Sequence, residues 1–224
     1  DSAAISYYDN SFSCNKMKVK NKNQELLLKG DIGPSNNDLL AISLSELNLN
    51  NVTSLFGIDH NNLNVNGVIN AEIELSSLLS STSFSSDILV NQVKVNDLLI
   101  GDLSFSSKWD KVNNRLGFKG GLLNENKEEE LLIENCYFYP ENDIYNQLNG
   151  ELSFNQFQID FIDPFLPNEI LSGLEGLLTG KINVGGNFSA PLFDGKLKLT
   201  EAAIGLTEFN TKFKINGSVD IGYN

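Results

Sequence analysis

Histidine occurs once, at His60, in the loop sequence Asp59-His60-Asn61-Asn62. With one histidine in such a loop there is no His-based triad and no His cluster for a metal, and His60 reads as a solvated loop residue. Cysteine occurs twice, at Cys14 and Cys136, and neither has a CxxC partner. That excludes thiolate metal binding. One disulfide is open to the pair in an oxidising compartment, and two buried thiols is the reading preferred here. Alanine, the best helix former, is scarce, while Asn and Ser, which favour turns and caps, are abundant, so long helices are not expected. Basic residues are in deficit: 16 Lys and Arg stand against 29 Asp and Glu, a net charge of −13. Such a surface repels phosphate backbones, so no nucleic acid partner is expected, and the acidity reads chiefly as solubility.

No apolar run approaches the roughly 20 residues of a membrane-spanning helix, and no signal-like n-region and h-region opens the chain. The chain begins directly on strand-like sequence, so it reads as a piece of something longer whose anchor lies outside it. No Walker or dinucleotide fingerprint is found, since Gly185-Gly186 lacks a following helix, and calcium-loop spacing is absent. The run Asn124 to Glu130, NENKEEE, is a solvated tip, and Glu72 and Glu74 sit on the outer face of a strand. No enzyme, metal site or cofactor is expected.

What the sequence has is alternation. Leu174, Gly176, Leu178, Gly180, Ile182 and Val184 fall on every second residue, with Glu175, Thr179, Lys181 and Asn183 between them. After turns at Gly185-Gly186-Asn187 and Ala190-Pro191, Gly195, Leu197 and Leu199 alternate with Lys196, Lys198 and Thr200. Period 2 with one apolar face predicts amphipathic strands joined by Gly/Pro connections, a β-meander. Leu63 to Leu75, Leu99 to Phe105, Leu116 to Leu122, Leu148 to Phe154 and Phe209 to Val219 read the same way, and Glu25 to Ile32 and Leu131 to Tyr139 also read as strands. Three-residue steps inside such runs, Leu44 to Leu47, Val90 to Val93 and Phe154 to Phe157, predict β-bulges. Ser76 to Ser86, holding Phe84, reads as a Ser-rich connection, and Trp109 is placed in a turn.

The pattern recurs after about 110 residues. Val65 to Leu75 lies over Leu174 to Val184, and Ile42, Leu44, Leu47 and Leu49 lie over Leu152, Phe154, Phe157 and Ile159. Matched phase slips and matched strand-breaking segments, 51–58 and 160–173, divide the chain into three parts. Residues 1–37 read as the end of a preceding unit, 38–147 as a full unit and 148–224 as a truncated second one. A single helical turn is expected at Asn168-Glu169.

The fold class is therefore all-β, a repetitive antiparallel sheet with short crossing loops or helical turns. Two outcomes stay open: a sandwich in which the apolar faces close on each other, or one continuous sheet curled into an open, apolar-lined groove. The apolar positions are Ile42, Leu44, Leu47, Leu49, Ile69, Ile73, Leu75, Ile88, Val90, Leu103, Phe105, Leu116, Phe118, Leu152, Phe154, Phe157, Ile159, Leu178, Ile182, Val184, Leu197, Leu199, Phe213 and Ile215. They line either a dry core or a groove.

The spaced series Leu174, Gly176, Leu178, Gly180, Ile182, then Pro191, then Gly195, Leu197 and Leu199 resembles the C-terminal region of the TamB and AsmA-like family. The likeness is diffuse over the chain and strongest over Leu148 to Thr200. The first unit departs from it, with Ala71 in place of Gly180, and Thr82 and Ser86 in place of Pro191 and Gly195. The resemblance implies the groove, a β-taco, with the apolar positions named above as its lipid-binding lining. It implies a periplasmic protein of a Gram-negative bacterium, anchored in the inner membrane, with phospholipid acyl chains as cargo and an outer-membrane barrel of the TamA or BamA type as partner. Two further readings stand beside a lipid conduit: a scaffold that offers sheet edges to nascent outer-membrane β proteins by strand addition, and a structural stalk or adhesin. Strands about 4.8 Å apart give roughly 50 Å of groove for two units, and open edges at the ends allow end-to-end self-association.

Overall fold

The computed structural model describes residues 5–33, 38–51, 64–77, 83–96, 98–142, 147–160, 163 and 171–222. His60, most of the 51–58 segment and the expected turn at Asn168-Glu169 lie outside the described residues. The strands are β1 (Ile5–Tyr8), β2 (Ser11–Asn21), β3 (Gln24–Ile32), β4 (Leu39–Asn48), β5 (Val65–Ser76), β6 (Ser83–Val95) and β7 (Leu98–Asp110). Six more follow: β8 (Arg115–Leu123), β9 (Glu129–Phe138), β10 (Leu148–Gln158), β11 (Leu171–Gly186), β12 (Pro191–Leu206) and β13 (Thr211–Ile221). All thirteen form one antiparallel sheet whose spatial order is the chain order. The sheet does not close into a barrel, and of the two outcomes open at the level of sequence the chain adopts the single open sheet.

Local chemistry sets the hairpins. Asp9 and Asn10 both have positive φ, 50° and 58°, the requirement of a two-residue type I′ turn between β1 and β2. At the β7–β8 turn the Asp110 carboxylate accepts the N–H groups of Val112 and Asn113 and pairs with Arg115. That cap pulls the turn out to residues 111–114, so Trp109 is not in a turn: it lies in β7, opposite Leu116. Phe84 likewise belongs to β6, opposite Leu75, rather than to a connection. A Ser-rich stretch without Gly or Pro has nothing to stop it joining an existing sheet edge.

Each three-residue step is a bulge. Register shifts fall between Leu44 and Leu47, Val90 and Val93, and Phe154 and Phe157, with a further one between Leu199 and Ala202. In each the extra residue takes a left-handed conformation: Glu46 at 56°, Gln92 at 52°, Gln156 at 50° and Glu201 at 52°. The N–H that this frees is satisfied from the next strand. Glu46 donates to Asn70 Oδ1 (3.1 Å), Gln92 to Asp102 Oδ1 (2.9 Å), Gln156 to Thr179 Oγ1 (3.1 Å) and Glu201 to Asn216 Oδ1 (2.7 Å). Glu46 and Gln156, and Gln92 and Glu201, are each about 110 positions apart, the spacing at which the sequence pattern recurs. Bulges bend the strand that carries them and raise its twist, so a capped bulge on alternate strands curls the sheet.

Asp102 carries a measurable share of this. Its carboxyl is held below the usual carboxylate range by Lys127 first and then by the Gln92 N–H. Lys127 is largely in solvent, so the ion pair adds little, and the main loss on removal is the acceptor for Gln92. Asp102→Ala is expected to lower stability by about 1 kcal/mol at neutral pH. A depressed folded-state pKa contributes stability that is present above the unfolded value, about 3.9, and is lost as pH falls through the folded value. The difference between variant and wild type in urea titrations therefore shrinks below pH 4. A difference as large at pH 3 as at pH 7 would contradict this account.

Candidate groove face

Antiparallel partners share a face, so the register assembles the apolar positions strand by strand. One row runs from β2 to β13 without a polar interruption: Val19, Leu26, Leu44, Ala71, Ile88, Phe105, Gly120, Ile133, Leu152, Ile182, Gly195 and Ile221. A second row begins at β4: Leu47, Ile69, Val90, Leu103, Leu122, Leu131, Phe154, Gly180, Leu197 and Val219. Phe157, Leu178 and Leu199 start a third. Ile42 pairs with Ile73, Leu116 with Phe138, Phe118 with Cys136, and Val184 with Phe193, all on this same face. Leu75 lies on it opposite Phe84, and Ile215 and Phe213 opposite Ala202 and Ile204.

The face is densest at two places. Ile69, Ala71, Val90 and Val93 form a buried cluster with Leu44, Leu47, Leu49, Ile88, Ile100 and Leu103 against it. Leu122, Phe157 and Ile159 form another, flanked by Leu103, Phe154, Leu174, Leu178 and Leu199. Leu49 and Ile159 stand just beyond the ends of β4 and β10 and still pack on these clusters. Phe213 and Ile215 share the face but are exposed, as is Val219 beside them, because β13 is an edge strand among the described residues; Val19 and Phe193 are exposed on this face too. Residues missed from sequence also line the face, notably Leu26 and Leu28 on β3, Leu131 and Ile133 on β9, Phe193 on β12 and Phe188 in the β11–β12 turn. Among the described residues no second layer covers this face.

The opposite face is polar. Ser43, Glu72, Asp87, Ser106 and Lys119 are successive partners across β4 to β8. Lys181 pairs with Glu151 at 2.6 Å and Lys196 with Asp220 at 3.2 Å. A twisted sheet is saddle-shaped, so this face also has a dip, of about 690 Å³, lined by Leu89, Leu123 and Leu132 as well as by Asn70, Glu72, Asp87, Ser104, Lys119 and Glu134. It is larger than the recess on the apolar face, but its apolar residues alternate with charged groups of both signs, so no continuous apolar path crosses it. Among the described residues no group of three His, Cys, Asp or Glu could hold a metal ion. Cys14, on β2, and Cys136, on β9, are free thiols, the first buried and the second half-buried, and burial pushes the Cys136 thiol up.

The recess on the apolar face, about 300 Å³, lies over β7 to β12. It is lined by Phe105, Phe118, Ile133, Leu152, Val184 and Phe193, with Phe188 at its mouth. The Phe188 ring sits 5.1 Å from that of Phe138 and 6.4 Å from that of Phe118. To reach Phe118 the turn 187–190 must fold in over the apolar face, forming a lip on one rim of the sheet.

Sheet and face together define the class: a single-layer, open β-meander with one largely apolar surface, interrupted by the buried, mutually hydrogen-bonded Ser86 and Ser107, and one mainly polar surface. No protein-family model, curated protein or solved structure matches this chain. Among the described residues no helix is long and apolar enough to cross a membrane.

Proposed function

We propose that this chain is a segment of a lipid conduit, in which the apolar face carries phospholipid acyl chains along the sheet while headgroups stay in water. The observation that supports it is the row from Val19 to Ile221, which crosses β2 to β13 with no polar side chain and, among the described residues, no covering layer. Most of this row is only half-buried, and a partly exposed apolar surface this continuous marks a place where something apolar binds. Moving a lipid through water exposes its tails at about 0.8 kcal/mol per CH₂, and a trough that never breaks removes most of that barrier. Transport of this kind needs no catalytic residue, and the polar pair that the face holds among the described residues, Ser86 and Ser107, is satisfied by its own hydrogen bond. At about 4.8 Å per strand the sheet spans roughly 60 Å, a length over which acyl chains are handed from strand to strand.

The resemblance to the TamB and AsmA-like family supports placing the segment in the periplasm of a Gram-negative bacterium. The longer protein would then be anchored in the inner membrane and would meet a barrel of the TamA or BamA type at the outer membrane. One observation favours a second reading: β13 is exposed along its length and among the described residues pairs on one side only, with β12, the feature a strand-adding scaffold for outer-membrane proteins would use. Native mass spectrometry of the purified chain, with lipid extraction alongside, separates the two. Bound phospholipid is expected. A lipid-free chain that ignores vesicles and detergent but binds β-strand peptides would replace the conduit with the scaffold.

A further inference from the structure

The conduit reading treats the face as uniform, but the recess under Phe188 is not like the rest of it. It is bounded on one side by β8 and β9, below by β10, and on the rim by the infolded turn of β11 and β12. Phe188 is 65% exposed, so its position over Phe138 and Phe118 is a contact between rings at a mouth and not part of a closed core. Its volume lies at the lower end for small-molecule pockets, enough for one chain and too little for a two-tailed lipid with its headgroup. The polar residues at its border, Tyr137 and Asn149, are partners of each other on the opposite face, so the groups facing the cavity are hydrocarbon apart from the Cys136 thiol. A charged or hydrogen-bonding ligand would have nothing to pair with there. The recess opens along Phe105, Ile133 and Leu152 into the long apolar row, so its occupant has to be slender, flexible and able to leave lengthwise.

Resting on the conduit reading, we propose that this recess is a discrete site for a single unbranched alkyl chain, and that Phe188 is the gate that sets how long the chain stays. The exposed Phe188 ring can swing aside about its own side-chain torsions without disturbing the ladder, because the backbone around it is held by Gly186 paired with Pro191 and by Asn187, whose Oδ1 accepts the N–H groups of Ser189 and Ala190. Lipid moving along the face would then pause at β7 to β12.

Cys136 borders the same recess and reports on its occupancy. The probe is cis-parinaric acid, whose unbranched polyene chain fluoresces in apolar surroundings. Release is followed by stopped flow against excess oleate, and iodoacetamide labelling of Cys136 is followed by peptide mass spectrometry. Wild type is expected to bind the probe and to be labelled at Cys136 at least fivefold more slowly when it is bound. Phe188→Ala is expected to release it at least tenfold faster and Phe188→Leu to an intermediate degree. Phe209→Ala, an exposed aromatic in the β12–β13 turn, leaves both readouts unchanged. Binding without protection of Cys136 would overturn the site while leaving the conduit standing. Protection with equal release rates in wild type and Phe188→Ala would overturn the gate. No binding in any variant would remove the conduit reading itself.

Discussion

Leu152→Asp is expected to reduce co-purifying phospholipid at least tenfold, while Ser153→Asp, one residue along, leaves it unchanged. Leu152 stands in the middle of the unbroken row, between Ile133 and Ile182, where the apolar face is most continuous. Ser153 stands between Leu132 and Lys181 on the other face. A carboxylate beneath an acyl chain must either be dehydrated, at a cost of several kcal/mol, or keep its water and break the apolar path. A tenfold loss of affinity needs only about 1.4 kcal/mol, so either response exceeds it. Leu152 is only half-buried in the free chain, so the sheet itself tolerates the change, and circular dichroism checks that it does. Equal lipid content in the two variants would mean that lipid does not ride on this face. Ile182 and Leu197, both nearly fully buried, make poorer tests, because a charge there would also unseat the sheet.

The second large effect concerns the backbone. Gly101→Ala is expected to destabilise the β7–β8 region by at least about 3 kcal/mol, combining left-handed strain with overpacking. Gly101 has a φ of 139°, a region that L side chains rarely adopt, and a Cβ placed there would overlap the carbonyl oxygen of Leu123. Gly217→Ala serves as the opposite control. Nothing lies within 4 Å of its Cβ and its φ is ordinary, so the substitution should stabilise by about 0.5 kcal/mol through the unfolded chain. Trp109, the chain's one tryptophan, lies on the same strand as Gly101 and its fluorescence reads the local transition in urea. An unchanged midpoint for Gly101→Ala would show that β7 is free to move away from the turn after β8.

Most of the sheet could be read from alternation, and the places where it could not share a cause. Leu26, Leu27 and Leu28 form a continuous apolar run, as do Leu131, Leu132 and Ile133. Where both faces carry apolar side chains, periodicity gives no phase, and only the partners across the ladder show that Leu26, Leu28, Leu131 and Ile133 face the groove. Three bulges were visible as phase slips because large side chains bracket them. The one after Leu199 was hidden because it is followed by Ala202 and Ala203, two small residues that are both buried, one on each face. The acceptors that cap the bulges, Asn70, Asp102, Thr179 and Asn216, sit on neighbouring strands among many other polar residues, and nothing local distinguishes them. Phe188 lies in a sequence that reads as a turn, and its reach over the sheet is a tertiary fact.

Because spatial order equals chain order, every strand contacts chiefly the strands just before and after it in the chain. Stability in such an array is chiefly a sum of neighbour terms, as in stacked repeats, with the reach of Phe188 to Phe118 an exception among the described residues. The sheet therefore has no single point of collapse. A pull applied along its length would peel strands from β1 or β13 one hairpin at a time, each at low force, and each hairpin could close again on the template left behind. For a molecule stretched between two surfaces that shift relative to each other, this makes the array an extensible tether, one that yields stepwise and recovers rather than snapping as a unit.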